Sequence, residues 1–287
     1  MARRSLRCSQ DRLRTARARS VEQALRLRRS FVTVSYGIIG FGRIGRRLAA
    51  RLPGAAILAR SPPASAEDAG AICATLDDLI ARKPAVVVEC ASRQALIGHG
   101  PAVLAAGIDL VPLSLTALAD PEVECRLLAA AEKGPGRLEV APGAVGTLDL
   151  LAAAREEGLQ RVVYRQVKSP AMWRLTPAAA LADLASIRDR RVFFKGSVRE
   201  VARRLPNNLN TSVGVALAGL GLDATEAELV ADPAISETAH ELEILAAPGR
   251  AALMLGGRTV APDGDPVDYT TFSLMRVLRR RFARVVI

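Results

Sequence analysis

The hydrophobic pattern of the first half of the chain consists of short apolar runs separated by longer amphipathic stretches. Val32–Ile39 and Ala85–Cys90 are β-branched runs typical of strands buried on both faces of a sheet. Because strands that alternate with helices form βαβ units, this half predicts a parallel sheet. The predicted strands are 32–39, 55–59, 85–90, 110–113 and 138–140, and the predicted helices are 46–52, 76–81, 94–106 and 121–133.

The pattern changes after Pro142-Gly143-Ala144, where alternating strands and scattered helices predict a mixed α+β region. We therefore predict an α/β fold, a Rossmann-type doubly wound parallel sheet plus a second mixed α+β substrate domain. The predicted domains are a disordered basic extension at 1–31, a dinucleotide-binding domain at 32–141 plus 265–287, and a catalytic domain at 142–264. The elements predicted here are strands 160–168, 190–196, 227–231 and 240–246, helices 178–187, 198–204 and 272–284, and a hairpin within 249–258.

Charge and aromatic content limit the partners of the chain. Half of the residues are hydrophobic but only 3% are aromatic, whereas single-stranded nucleic-acid binders interleave aromatic and basic side chains. The net charge is +11, yet residues 1–30 hold ten arginines against Asp11 and Glu22, which is +8 and leaves +3 for the other 257 residues. The charge belongs to an extension that fits a disordered tail, a transit peptide or a start codon assigned too early. A nucleic-acid partner is not expected.

Cysteine and histidine content argues against a metal site. The chain has two histidines, and its four cysteines form no C-x-x-C pair. A zinc site is therefore not expected, and unpaired thiols suit a reducing, cytoplasmic compartment. The longest apolar stretch, residues 101–119, is broken by proline, glycine and aspartate, so no membrane span is predicted.

A glycine-rich turn, Gly40-Phe41-Gly42-Arg43-Ile44-Gly45, follows the first predicted strand and opens a helix. In this setting Gly40 permits the tight turn, Gly42 lets the backbone approach a pyrophosphate, and Gly45 allows close packing of helix and strand. The helix N-terminus offers N–H groups to phosphates. The turn predicts a dinucleotide site, with a plain glycine-rich turn as the alternative.

The segment about 20 residues beyond the turn indicates which dinucleotide is bound. NAD enzymes usually carry an acidic residue there, but no acid lies between Gly40 and Glu67. Arg60 and Ser61, helped by Arg43, suit the 2′-phosphate of NADP instead. The prediction is NADP, with NAD possible.

Six blocks in order resemble the L-aspartate dehydrogenase family. They are Tyr36–Gly45 (YGIIGFGRIG), Val88–Arg93 (VECASR), Ala141–Thr147 (APGAVGT), Phe194–Glu200 (FKGSVRE), Leu205–Asn210 (LPNNLN) and Ala231–Glu243 (ADPAISETAHELE). The resemblance implies a Rossmann domain with an α/β domain, a homodimer, and oxidation of L-aspartate to iminoaspartate, which hydrolyses to oxaloacetate and ammonia. In some organisms this imine feeds NAD biosynthesis.

The same resemblance assigns roles to residues by position. It places the catalytic histidine on His240 and cofactor contacts on Ala144 and Asn210. Ala91, in the VECASR block, is a further predicted cofactor residue. The chemistry agrees for His240, because hydride transfer from an amine carbon needs a base near neutrality, and the other histidine, His99, lies in a predicted helix of the first domain. The alternatives are a structural role for His240, an ordinary interdomain turn at Ala144 and a helix cap at Asn210. Three glutamates are candidates to orient His240: Glu237, Glu241 and Glu243.

The expected substrate contacts are Lys168, Ser197 and Asn210, with Arg199 as a further candidate. Relatives carry an Arg-Lys-Pro run where this chain has Val167-Lys168-Ser169-Pro170, and an Asn-Pro-Lys-Thr-Ser-like segment where it has 265–269, DPVDY. A dicarboxylate needs two cationic pockets, so these departures favour, as an alternative, an NADP-dependent reductase of another imine or keto acid. A third hypothesis is a basic-tailed regulatory protein with a vestigial dinucleotide site.

Overall fold

The computed structural model describes residues 35–60, 71–146, 148–156, 158–206, 209–257, 259–260, 266–267 and 269–286. The predicted extension 1–31, the predicted strand residues 32–34 and Ser61 lie outside the described residues. Within the described ranges, no helix is both long enough and apolar enough to cross a membrane.

The first sheet has five parallel strands in the order β3-β2-β1-β4-β5. Its centre is made of the predicted apolar runs, and Ile38 of β1 pairs with Ile57 of β2 and Val88 of β4. All three side chains are fully buried, as expected for a sheet covered on both faces. The strands are β1 Tyr36–Ile39, β2 Ala56–Leu58, β3 Ile72–Cys73, β4 Val86–Glu89 and β5 Asp109–Pro112.

Three helices lie between these strands in the chain and a fourth follows β5, and polar side chains start three of the four. Thr75 caps the second helix by accepting a hydrogen bond from Asp78 N, Ser92 caps the third, and Asp120 caps the fourth. The helices are α1 Arg43–Ala49, α2 Leu76–Ala81, α3 Arg93–Ala105 and α4 Pro121–Lys133. The doubly wound parallel sheet is confirmed. The strand predicted at 138–140 is only a bridge at Leu138, and a 3₁₀ turn at Leu115–Ala119 was not predicted.

The second sheet has five strands in the order β10-β9-β6-β8-β7. The β6–β8 pair is parallel and the other pairs are antiparallel. The strands are β6 Leu159–Lys168, β7 Arg191–Ser197, β8 Glu226–Ala231, β9 Ala239–Ala246 and β10 Gly249–Gly256. The predicted mixed region is thus confirmed, but the hairpin lies between β9 and β10 and not within 249–258.

One face of this sheet carries cross-strand ion pairs. Arg165 Nε lies 2.6 Å from Glu228, and Arg161 Nε lies 2.7 Å from Glu226. Hydrogen bonds from Arg161 and Lys195 lower the pKa of Glu226 to about 2. The long charged side chains lie over the sheet and shield its apolar residues from water.

The other face of the second sheet packs on helices. These are α5 Leu148–Glu156, α6 Pro170–Arg174, α7 Val198–Arg204 and α8 Asn210–Ala218. The predicted helix at 178–187 is wrong: the segment forms two 3₁₀ turns, Pro177–Ala180 and Leu184–Ser186. Thr176 and Asp183 each accept a hydrogen bond from a nearby backbone N–H, which starts a new turn and competes with a continuous helix.

The last helix, α9 Tyr269–Arg280, contacts the first half of the chain. Arg280 lies 3.0 Å from Glu139, and the Phe282 ring packs edge-on against Tyr36 of β1. Ser273 accepts a hydrogen bond from Gly143 N at 2.9 Å. Short strands β11 Thr259–Val260 and β12 Pro266–Val267 pair before the helix. These contacts bring the segment 141–144 beside the start of α9.

Candidate active site

His240 is the second residue of β9 and lies opposite Gln166 of β6 and Leu255 of β10. Successive side chains of a strand point to opposite faces, so Tyr164, Gln166 and Lys168 of β6 share the face that carries His240. This face lies opposite the ion-paired one. The two strands therefore bring an imidazole, a phenol, an amide and an ammonium group together.

Tyr164 is a hydrogen-bonding partner of His240. Its hydroxyl oxygen lies 2.6 Å from His240 Nδ1, and its side chain is 0% exposed. Burial raises the pKa of the Tyr164 hydroxyl, which is also hydrogen bonded to the side chain of Thr211. The phenol is therefore neutral at physiological pH.

His240 lines a cavity of about 350 Å³ between the two sheets. The lining is contributed by α1, the loop before α5, β6, α8, the ends of β9 and β10, and the start of α9. The polar members are Arg43, Gln166, Lys168, Asn210, Thr211, Thr238, His240, Tyr269 and Thr270. Two cations and several neutral donors thus surround one imidazole, a composition suited to an anionic substrate.

Asn210 is the first residue of α8, and its amide is fixed by the first half of the chain. Its Oδ1 accepts a hydrogen bond from Thr116 N at 2.9 Å, while the Thr116 hydroxyl donates to the carbonyl of Pro206. Because the oxygen is used, the amide offers its NH₂ group as the remaining donor. Asn210 lines the cavity as a donor. Its side chain does not cap α8 but binds the 3₁₀ turn Leu115–Ala119.

The glycine turn has the geometry that a bound dinucleotide requires. Gly40 has φ +107°, and a Cβ there would lie 2.8 Å from Ala91. A Cβ on Gly45 would collide with the carbonyl oxygen of Gly40, whereas the space around Gly42 is open within 4 Å. The turn is therefore closed behind Gly40 and Gly45 and open at Gly42, where a pyrophosphate would approach the backbone.

A second cleft, of about 690 Å³, adjoins the glycine turn. It holds five of the predicted cofactor residues: Gly40, Phe41, Gly42, Arg60 and Ala91. Arg60 is exposed at the rim, and His99 of α3 lines the same cleft. The other predicted cofactor residues, Arg43, Ile44, Ala144 and Asn210, line the His240 cavity. Arg43 is thus placed with His240 and not with Arg60, while Gly45 is buried under the turn.

Lys168 and Ser197 occupy different environments. Lys168 lines the cavity, and its Nζ lies 4.8 Å from the centroid of the buried Trp173 ring. Ser197 caps α7 by accepting a hydrogen bond from Glu200 N at 3.2 Å. It lies in β7, three strands away from β9, which is about 14 Å at the usual strand spacing. Ser197 does not line the His240 cavity.

Arg199 and two of the glutamates considered beside His240 also lie elsewhere. Arg199 binds Glu124 and Asp223, each at 2.7 Å. Glu241 and Glu243 lie on the opposite face of β9 from His240, where they bind Arg190 and Arg165. The strand alternation therefore explains why a tyrosine of β6, and neither of these glutamates, meets the Nδ1 atom.

Glu89 is a buried residue that holds loops of the candidate site in place, and the sequence interpretation missed it. It ends β4 fully buried, and its carboxylate accepts hydrogen bonds from Ala91 N at 2.8 Å, Ser92 N at 3.0 Å and Ser114 N at 3.1 Å. Burial raises the pKa of Glu89, and these hydrogen bonds oppose the rise. The carboxylate fixes the loops after β4 and β5, one at the dinucleotide cleft and one leading to Thr116.

Tyr164 and Gln166 were also missed, although a signal was present. Lys168 was already a candidate in a strand predicted to alternate, and positions two and four residues before it share its face. Thr211, which follows Asn210, carried no such signal, because α8 was not predicted as a helix.

A Rossmann sheet with an open glycine turn, joined to a cavity that holds a histidine and two cations, defines a dehydrogenase that uses a nicotinamide dinucleotide. Residues 40–141 match the family described as homoserine dehydrogenase, NAD binding domain, and residues 149–281 match the family described as aspartate dehydrogenase, C-terminal. An L-aspartate dehydrogenase of Serratia proteamaculans is 39% identical over 251 residues, which are 85% of this chain and 95% of that protein. The chain belongs to the L-aspartate dehydrogenase family.

Two further comparisons agree. An L-aspartate dehydrogenase of Ralstonia pickettii is 40% identical over 196 residues, 68% of this chain and 73% of that protein. The crystal structure of an aspartate dehydrogenase from Thermotoga maritima has the same fold, with a TM-score of 0.70 and 23% identity over 88% of this chain and 99% of that chain. The predicted family membership and oxidoreductase class are confirmed.

Proposed function

We propose that this protein oxidises L-aspartate to iminoaspartate, with NADP as the preferred hydride acceptor. The imine then hydrolyses to oxaloacetate and ammonia. The observation that carries the proposal is the cavity in which His240 faces Lys168, Arg43 and Asn210 beside the opening of the glycine turn. Such a site offers a base, cations for carboxylates and a donor for the cofactor in one place.

Each residue has a role that its surroundings support. A bound nicotinamide would supply the hydride acceptor for the amine-bearing carbon of the substrate. His240 accepts the proton that the substrate amino group releases, because imidazole titrates near neutrality. The NH₂ group of Asn210 would donate a hydrogen bond to the carboxamide or ribose of a bound cofactor. The backbone at Gly42 and the first N–H groups of α1 would hold its pyrophosphate.

The cavity also has the charge that a dicarboxylate needs. Lys168 binds one carboxylate and Arg43 the other, since both line the cavity. Relatives carry an arginine at position 167, but its absence here does not affect the cavity. Val167 pairs with Val230 and Ala239, is 1% exposed and lies on the face of the sheet opposite Lys168. The departure at Val167 therefore does not remove a cation from the cavity.

The preference for NADP rests on Arg60. Its side chain lines the dinucleotide cleft after β2, where an acidic residue would favour NAD. Arg60→Ala should raise the KM for NADPH about 10–100-fold, the value of one charge-assisted contact, and leave the KM for NADH within about twofold. Arg82 is the matched control, because it is an exposed arginine outside this cleft. A wild-type preference for NADH that persists in Arg60→Ala would refute the assignment.

A substrate panel tests the reaction itself. NADPH oxidation is followed with oxaloacetate plus ammonium and, in parallel, with other keto acids plus ammonium. We expect the highest kcat/KM for oxaloacetate and measurable reduction of NADP with L-aspartate. A higher kcat/KM for a monocarboxylic keto acid would support the alternative, a reductase of another keto acid or imine. One observation favours this alternative: Tyr269 lines the cavity in a segment where relatives carry a lysine.

We also propose a homodimer built on the edge of the second sheet. In the part of the chain that the structure describes, β10 pairs on one side only, and its Met254 is 75% exposed. Two copies of an edge strand can continue each other's sheet. Light scattering should give twice the chain mass, and Met254→Lys should shift it towards the monomer. A monomer in the wild type would contradict the proposal.

A further inference from the structure

The second histidine of the chain, His99, lies on the side of α3 that borders the dinucleotide cleft. Ser92, Ala95 and His99 follow one another at spacings of three and four residues, so they share one side of the helix, and all three line the cleft. Close packing on α4 fixes the orientation of α3, because a Cβ on Gly100 would lie 2.8 Å from the Leu127 side chain. The half-buried His99 ring is therefore held at the edge of the cleft.

The cleft leaves room for a ligand between His99 and Arg60. Its volume is about 690 Å³, and small side chains form much of its lining, namely Ala59, Ala74, Ala91 and Ala95. Arg60 reaches the cleft from the segment after β2, whereas His99 reaches it from the helix after β4. An imidazole and a guanidinium group thus border one space from two different strand ends of the first sheet.

The described residues that line this cleft favour an anion. Arg60 and His99 are the two that can carry a positive charge, and none of them is a carboxylate. Burial raises the pKa of the Cys90 thiol to about 12, so this group stays neutral. The cleft is suited to a negatively charged part of the cofactor at some distance from the glycine turn.

Charged groups on the elements around α3 do not supply the missing carboxylate. Asp78 of α2 accepts a hydrogen bond from Thr75 N, and Glu89 of β4 accepts from the backbone of Ala91 and Ser92. Arg126 of α4 donates to the carbonyl of Ile97. The other charged side chains of α2, α3, α4 and β5 do not line the cleft.

We propose that His99, in its protonated form, is a specificity-determining residue that binds the 2′-phosphate of NADP together with Arg60. The proposal rests on the proposed preference for NADP and extends it. A phosphate monoester carries a charge of about −1.5 to −2 near neutral pH, whereas Arg60 supplies one positive charge. Protonated His99 supplies a second charge and a further N–H donor. NAD lacks this phosphate, so His99 acts on the choice of cofactor.

Two ligands isolate this contact in calorimetric titrations of the full chain. Adenosine 2′,5′-bisphosphate carries the 2′-phosphate without nicotinamide, and NADH carries nicotinamide without the 2′-phosphate. At about pH 6, His99→Gln should weaken binding of the bisphosphate about tenfold, the value of one charge-assisted hydrogen bond, and leave NADH within about twofold. Lys133→Gln is the matched control, because it removes one positive charge from an exposed side chain outside the cleft; both affinities should stay within about twofold.

The pH dependence tests whether the contact needs a charge. The ratio of the bisphosphate dissociation constants, His99→Gln over wild type, should be largest near about pH 6 and approach one by about pH 9, because an imidazole loses its positive charge as the pH rises. The 2′-phosphate titrates near pH 6 as well, and the ratio removes that contribution. His99→Lys should bind the bisphosphate as tightly as the wild type at about pH 6 and keep this affinity at about pH 9.

Three outcomes would overturn the role of His99. They are an unchanged bisphosphate affinity in His99→Gln, an equal loss for NADH, and a ratio that does not vary with pH. The proposed function fails in a different experiment: a wild type that reduces neither NADP nor NAD with L-aspartate would refute it, while the two ligand affinities would still report on His99.

Discussion

Arg199 offers a sharp test of the difference between a substrate contact and a structural clamp. Its guanidinium joins α7 to the first half of the chain by binding Glu124 at 2.7 Å and the carbonyl of Leu118 at 3.2 Å, and it also binds Asp223. The Arg199 and Glu124 side chains are only 14% and 20% exposed. Arg199→Met therefore removes a clamp and leaves Glu124 poorly paired.

The contacts set the size of the effect. The partly buried Glu124 contact contributes about 1.5–3 kcal/mol, whereas Asp223 is 72% exposed and adds less than about 1 kcal/mol. Arg199→Met should thus lower the free energy of unfolding by about 2–4 kcal/mol. For a protein of this size, that is a Tm decrease of about 4–8 °C. The KM for L-aspartate should change by less than about twofold, because Arg199 does not line the cavity.

Calorimetry and steady-state kinetics on the same samples measure both effects. Arg204→Met is the matched control: Arg204 lies on the same helix, half exposed, with an i,i+4 ion pair to Glu200. Its loss should cost less than about 1 kcal/mol. If Arg199→Met raises the KM for L-aspartate tenfold while its Tm equals that of Arg204→Met, the interpretation of Arg199 as a structural clamp is wrong.

Three further predictions concern the base, the glycine turn and acid stability. His240→Ala should lower kcat about 10²–10⁴-fold with NADPH affinity intact by fluorescence titration; full activity would remove His240 from the mechanism. Gly42→Ala should fold normally but bind NADPH at least about tenfold more weakly, because the added Cβ occupies the open space where the pyrophosphate approaches. Gly45→Ala should lower the Tm, because its Cβ would collide with the backbone of Gly40. Equal Tm values for the two variants would contradict this contrast. The pKa of Glu226 is lowered from 4.5 to about 2, chiefly by Arg161, so its contribution to stability is present above pH 4.5 and is lost as the pH falls towards 2. The stability difference between wild type and Glu226→Gln in urea titrations should shrink over that range, and a constant difference would refute the ion-pair account.

Elements with a clear period could be predicted, and elements without one could not. The β4 run and the caps of α2 and α4 follow from local rules of packing and capping. By contrast, α8 was missed because it is buried on all sides. Its residues 212–216 are all buried, so it has no polar stripe to reveal a helical period.

The candidate site divides in the same way. The glycine turn could be predicted from a short motif, and the resemblance to known relatives pointed to His240 as the candidate base. The orientation of the Asn210 amide could not, since it depends on Thr116, 94 residues away in sequence. The placement of Arg43 in the His240 cavity also depends on how the two sheets meet. Contacts between distant segments decide such details, and no local pattern encodes them.

The buried carboxylate of Glu89 links the dinucleotide cleft to the His240 cavity. One oxygen holds the Ala91 loop at the dinucleotide cleft, and the other holds Ser114, two residues before the anchor of Asn210. Arg60 stands outside this framework, exposed on the far rim. A change at Arg60 is therefore expected to alter coenzyme binding with little effect on turnover, whereas a change at Glu89 is expected to disturb both the dinucleotide cleft and the His240 cavity.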